Sequence, residues 1–182
     1  MKSFLLILAI ALSTLCNAQQ DLKTKEAKST INTDEIVKML NKLTPTTDEQ
    51  YNKWLPKKAG NYKLTSHTIN GNIDETPKNN IQLVYENKAK KIDIIIVDAA
   101  NDASSLEMIY FAFDMDKQFT KDKKTTTTKD EPHHISKYDA DNKQSQILTI
   151  INKRFGVSAS GDNVGVDELW TFVKKLNIKN IK

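Results

Sequence analysis

Among its 182 residues the chain has a single cysteine, Cys16. A lone thiol closes no intramolecular disulfide, so the fold is expected to rest on burial and hydrogen bonding. Arginine is equally scarce: Arg154 is the only one, and every other basic residue is lysine. Arginine is the side chain best suited to bidentate phosphate and base contacts. Its scarcity disfavours a nucleic-acid role, although the formal net charge is +4. Scattered lysines at this level are the pattern of a solvated surface. Five glycines and three histidines complete the shortfall. No Gly-x-Ser-x-Gly elbow, glycine-rich phosphate loop or dinucleotide fingerprint is present. An enzyme made from this chain would have to work with carboxylates, hydroxyls or its few imidazoles.

What is present begins with an export pattern. Met1-Lys2-Ser3 is short and basic, Phe4 to Leu12 is unbroken apolar sequence, and small residues stand at Cys16 and Ala18. That order predicts a signal peptide over residues 1–18 with cleavage before Gln19. The run is well short of the roughly 20 residues that span a bilayer. Cys16 raises the alternative of a lipoprotein, but bulky Leu15 before it fits that processing poorly. The expected localisation is periplasmic or secreted, with no transmembrane segment in the mature form. Residues 19–31 are polar and aperiodic and read as a flexible leader; residues 32–182 are expected to form a single domain.

Hydrophobic periodicity in that domain changes several times. Asn32 and Glu35 have capping-box spacing before Ile36, Met39, Leu40 and Leu43 on one helical face. Thr47 and Gln50 repeat the spacing before a short helix through Trp54, ended by Pro56. Alternation from Tyr62 to Ser66, then Asn70-Gly71, predicts a strand and a tight hairpin. Ile81–Tyr85 is a strand, Asn87–Lys90 a turn, and the β-branched run Ile92–Asp98 the expected central strand. Ser104 and Glu107 suggest a cap for a helix over Ser105–Met115. Threonine-rich Lys121–Lys129 reads as a solvent-facing strand that His133–Lys137 continues or pairs with. Asp139–Asn142 is a turn, Gln146–Val157 one apolar strand region, Gly161–Gly165 a loop, and Leu169–Leu176 an amphipathic helix. The fold class is α+β: a mainly antiparallel sheet covered on one face by amphipathic helices. Ile81–Phe113 and Ile135–Leu176 share an order of strand, turn, strand, break and helix, which suggests an internal β-β-α duplication.

Three groups of residues are candidates for chemistry. His133 and His134, beside Asp130, Glu131 and Asp139, are candidate metal ligands or proton carriers. Neighbours on a strand point to opposite faces, however, so two adjacent imidazoles converge poorly on one ion. Asp93 and Asp98 flank the central strand, Asp98 leads into Asp102 through Ala99-Ala100-Asn101, and Asp98 and Asp102 are candidate ligand-binding acids. Arg154, next to Phe155, is a candidate anchor for an anionic ligand or a partner for a carboxylate. Asp139-Ala140-Asp141 opens like a calcium loop, but Gln144 and Ile150 stand where glycine and glutamate are needed. Trp54 and Trp170 read as core. No catalytic residue and no cofactor is assigned.

The run Arg154-Phe155-Gly156-Val157, then Gly161, Asp167-Glu168-Leu169-Trp170 and Val173-Lys174-Lys175-Leu176, resembles the ending of small uncharacterised exported proteins of Bacteroidota. Gln19-Gln20 after the cleavage point is similar to their signals. The resemblance implies export and carries no activity. The expected function is an exported, non-catalytic binding or accessory protein acting on an unknown protein or small-molecule ligand in the cell envelope. The alternatives are a small metal-assisted hydrolase using His133 or His134 with nearby carboxylates, and a carrier of a lipid or other apolar ligand.

Overall fold

The computed structural model describes residues 33–71, 79–107, 109, 110, 113 and 134–181. Asn32–Lys182 forms one compact unit. The expected signal and leader (residues 1–31), the expected Asn32 cap and Lys121–Lys129 strand, and Asp130, Glu131 and His133 lie outside the described residues.

Two short helices precede the sheet, α1 (Thr33–Leu40) and α2 (Asp48–Trp54). The second carries the capping box that its sequence announces. The Gln50 N–H donates to Thr47 Oγ1 at 3.2 Å, and the Thr47 N–H donates to Gln50 Oε1 at 2.7 Å. Two of the orphan donors at the helix start are satisfied this way.

Seven antiparallel strands follow: β1 (Lys58–Ala59), β2 (Tyr62–Ile69), β3 (Asn80–Asn87), β4 (Lys90–Asp98), β5 (His134–Asp139), β6 (Gln144–Ile151) and β7 (Phe155–Asp162). Their order across the sheet is β1-β2-β3-β4-β7-β6-β5, so the β-branched run in β4 is indeed central. The last helix, α3 (Val166–Lys175), packs on β5, β6 and β7. The α+β class with an antiparallel sheet is therefore observed.

The core has two clusters on opposite faces. On one face, Ile81, Leu83 and Tyr85 of β3, Ile92, Ile94 and Ile96 of β4, and Val157 and Ala159 of β7 pack with Tyr51 and Leu55 and with Leu169, Phe172 and Val173 of α3. The Phe172 ring meets Tyr62 and Tyr85 edge-on, with centroids 5.1 and 5.0 Å away. Each such pair adds about 0.5–1.5 kcal/mol beyond its buried area. On the other face, Leu40 of α1, Ala99, Leu106 and Phe113 pack on Ile150, with Ile109 and Ile135 beside them. Helical cover is thus not confined to one face.

Three local expectations change. First, Asn70 does take a left-handed conformation (φ 50°), but β2 ends at Ile69 and β3 begins at Asn80, so Asn70-Gly71 is no two-residue hairpin. Asn70 closes a longer connection instead: its N–H donates to the Asn80 carbonyl at 2.7 Å, and its Oδ1 accepts from the Asn80 N–H at 3.1 Å. Second, Gln146–Val157 is two strands. Asn152 and Lys153, both at φ 55°, turn the chain at Arg154, which belongs to the turn and not to a strand. Third, the segment after β4 starts as a 3-10 turn, Ala103–Leu106, and the Ser104 hydroxyl bonds Asp102 and not a helix amide.

The strand order does contain two three-stranded meanders, β2-β3-β4 and β5-β6-β7, meeting at β4 and β7. The proposed repeat matched β3-β4 to β5-β6, which is off by one strand. A two-fold axis between β4 and β7 would also keep both following helices on one face. Leu106 and Ile109 lie on the opposite face from α3, so the helices do not obey it.

Candidate functional site

Asp98 ends β4, and its backbone is opposite Phe155 at the start of β7. That register sets Arg154, the residue before Phe155, beside the Asp98 carboxylate. Arg154 donates from Nε to Oδ1 at 2.7 Å and from Nη2 to Oδ2 at 2.8 Å. Thr46 donates twice to Oδ2, from its N–H and its hydroxyl, each at 2.7 Å, and the Ala100 N–H reaches Oδ1 at 3.0 Å. Nη2 also donates to the Thr44 carbonyl at 3.0 Å, and the guanidinium lies 5.0 Å from the Phe155 ring centre. The Asp98 side chain is 0% exposed and that of Arg154 is 21% exposed.

Burial pushes the Asp98 carboxyl up, but hydrogen bonds from Arg154, Thr46 and Ala100 outweigh it and hold the group below the usual carboxylate range. The Tyr51 hydroxyl is buried next to this cluster and titrates well above a free phenol, through burial first and the Asp98 charge second. Two predicted ligand-binding residues are therefore brought together, with each other as partners. Asp98, together with Nε and Nη2 of Arg154, ties the segment between α1 and α2 to the sheet.

The other acids lie apart. Asp102 accepts from the Ser104 hydroxyl, and its carbonyl accepts from the Ser105 hydroxyl at 2.8 Å. It shares no hydrogen bond with Asp98 or Arg154 among the described residues. Asp93 pairs with Lys91 on its own strand at 2.7 Å. Asp139 accepts from the N–H groups of Asp141 and Asn142 at 3.0 and 3.1 Å, the turn its sequence suggested.

His134 starts β5 opposite Thr149. Its ring stacks on Trp170 of α3, with centroids 4.5 Å apart and planes 21° apart, and Lys174 Nζ lies 5.1 Å from the Trp170 ring centre. Trp170 is buried, as expected of core. Among the described residues no three His, Cys, Asp or Glu side chains come close enough to hold a metal ion.

Sequence reasoning missed a cluster on α3. Glu168 accepts from the Tyr62 hydroxyl at 2.8 Å and from Lys90 Nζ at 2.7 and 2.9 Å. The Lys90 bond, with Tyr62 adding to it, draws the Glu168 carboxyl down despite some burial. These groups are separated by 78 and 106 positions, and no local spacing signals them.

The sheet face that carries the second core cluster is graded. Its covered end holds the row Val97, Gly156, Ile150. The next row runs Thr68, Gln82, Ile95, Ser158, Leu148, Ile135, and the one beyond it Ser66, Val84, Asp93, Ser160, Gln146, Lys137. The inner residues of both rows are half-buried. A last row, Lys63, Glu86, Lys91, Asp162, Gln144, Asp139, is mostly charged with alternating sign.

No protein-family model matches this chain, and no curated protein or solved structure matches it. No helix among the described residues is long and apolar enough to cross a membrane.

Proposed function

We propose that this chain is an exported, non-catalytic binding or accessory protein whose contact surface is the graded sheet face. The two half-buried rows centred on Ile95, Ser158, Leu148 and Ser160 carry the reading. They combine apolar side chains with hydroxyl and amide groups on a broad surface, the mixture a protein contact uses. The internal engagement of Asp98 and Arg154 favours this surface over a site built on that pair.

The test is retention of envelope components by the wild-type protein and by a Leu148→Lys/Ser158→Lys variant of the same fold. Binding requires that a defined component is held by the first and lost from the second. Recovery of nothing by the wild type, or equal recovery by both, removes the reading. Export rests on the Phe4–Leu12 run and the small residues before Gln19. Intact mass of the exported form decides it: a chain beginning at Gln19 supports a soluble product, whereas a diacylated Cys16 makes it a lipoprotein.

A further inference from the structure

We infer that the end of the molecule around Gly60 docks on an anionic lipid bilayer surface. Three segments meet there. Gly60 (φ 61°) and Asn61 turn β1 into β2, with Ala59 opposite Tyr62 and Lys58 opposite Lys63. The turn has no side chain at Gly60, and Lys175 of α3 lies over it, with Nζ 3.1 Å from where a Cβ would sit. Beside them, Trp54 at the end of α2 donates from Nε1 to the Leu176 carbonyl at 3.2 Å. That contact sets the end of α2, with Lys53 and Lys57 on either side of Trp54 in sequence, beside the end of α3.

Lys53, Lys57, Lys58, Lys175 and Lys179 are all exposed, and none forms an ion pair among the described residues. Other lysines near this end are already engaged: Lys90 with Glu168 and Lys91 with Asp93. Two contacts join these cations from distant stretches of chain. Lys175 lies over the turn that pairs Lys58 with Lys63, while Lys63 faces Glu86 on its other side. Partly buried Trp54, packed against the core, is fixed by its hydrogen bond to the end of α3. Lysines around an anchored tryptophan suit the headgroup layer, where the amine stays in water and the ring meets the apolar boundary. The amines are spread over one end and do not converge on a point, so they match many fixed charges on a surface better than one small anion. Lys58 and Lys63 continue the charged last row of the graded sheet face, away from its half-buried rows, and the inference holds whether or not those rows bind a partner.

The experiment is co-sedimentation of the purified protein, its N-terminus established by intact mass, with vesicles of phosphatidylglycerol and phosphatidylcholine or of phosphatidylcholine alone. The difference between the two vesicle types is the readout, so any apolar contribution from residues 4–12 cancels. Binding to the anionic vesicles is expected to fall with added salt. A Lys57→Glu/Lys58→Glu/Lys175→Glu variant is expected to bind at least about tenfold more weakly, each lysine contributing about fivefold. A Lys38→Glu/Lys42→Glu/Lys137→Glu variant has the same net charge and is expected to stay within about twofold of wild type. A charge-neutral Lys57→Gln/Lys58→Gln/Lys175→Gln variant, with a circular dichroism spectrum matching wild type, guards against a folding defect and is expected to weaken binding in the same direction. Equal loss in the two glutamate variants overturns the inference, as does no preference for anionic vesicles. Binding to soluble polyglutamate without binding to vesicles also overturns it, by making the occupant a free polyanion.

Discussion

Arg154 grips Asp98 through two parallel hydrogen bonds, of 2.7 and 2.8 Å, across 56 positions of sequence. Removing one partner of a buried pair leaves a charge without compensation, at a cost of about 3–5 kcal/mol. Arg154→Ala is expected to fall in that range, because the Asp98 side chain is 0% exposed and keeps only its Thr46 and Ala100 donors. The Asp98→Leu/Arg154→Met double variant is expected to lose less than the two single changes added together. Urea denaturation of the three variants measures this.

The same carboxylate sets an acid limit. The folded protein holds Asp98 below its ordinary range, whereas the unfolded chain titrates near about 3.9. A depressed folded value stabilises the protein above the unfolded pKa, and that contribution is lost as pH falls through the folded value. Stability is therefore expected to decline from about pH 4 downward. In Asp98→Asn the neutral-pH stability is lower and the acid decline shallower. Glu168 shifts in the same direction, but it is well exposed and solvent screens its contribution. Thermal midpoints from pH 2 to pH 7 for both proteins give the comparison.

Glycines at 156 and 165 are expected to respond oppositely to a side chain. A Cβ on Gly156 would lie 2.7 Å from Ile109 Cδ1 and 3.0 Å from Leu106 Cδ2. Gly156→Ala is expected to cost about 1–3 kcal/mol through overpacking, with partial recovery when Ile109→Val is added. Gly165 is the N-cap of α3, has no side-chain cap, and has open space where a Cβ would stand. Gly165→Ser is expected to gain a few tenths of a kcal/mol. Denaturant midpoints of the two single variants should move in opposite directions.

Thr47→Ala is expected to destabilise by about 1 kcal/mol, because it removes the hydroxyl that caps α2. Gln50→Ala removes the reciprocal bond and is expected to cost less, since the Thr47 hydroxyl still caps the helix. Urea unfolding of both variants provides the ranking.

His134→Ala removes the ring stacked on Trp170, an interaction of about 0.5–1.5 kcal/mol. A modest stability loss with an altered near-ultraviolet tryptophan signal is expected, with zinc content unchanged from wild type. Zinc bound by the wild type and absent from the variant would instead revive the metal-assisted hydrolase.

Signals that act over a few residues were legible. The Thr47–Gln50 box, the β-branched run of β4 and the Asp139 turn stand where their local chemistry placed them. β7 escaped because Phe155-Gly156-Val157-Ser158-Ala159-Ser160-Gly161-Asp162 has few β-branched residues. Its small residues answer to tertiary contacts: Leu106 and Ile109 press on Gly156, and Val164 and Ser145 on Gly161. Asp98 and Arg154 stood out individually, yet their pairing depends on the β4–β7 register, which joins chain segments with no sequence proximity. The lysines around Gly60 come from three stretches and look scattered until β1, α2 and α3 meet.

The position of β7 also decides when the molecule can fold. It lies between β4 and β6, so the central strand stays unpaired along one side until Phe155–Asp162 is available. Completing the sheet requires closing a long loop before the contact is gained, which slows folding and favours late assembly. A chain made from its N-terminus leaves the β-branched edge of β4 open from the time Asp98 is made until Phe155–Asp162 follows. Whatever keeps that edge from pairing with another chain during the interval is as necessary to this protein as its finished core.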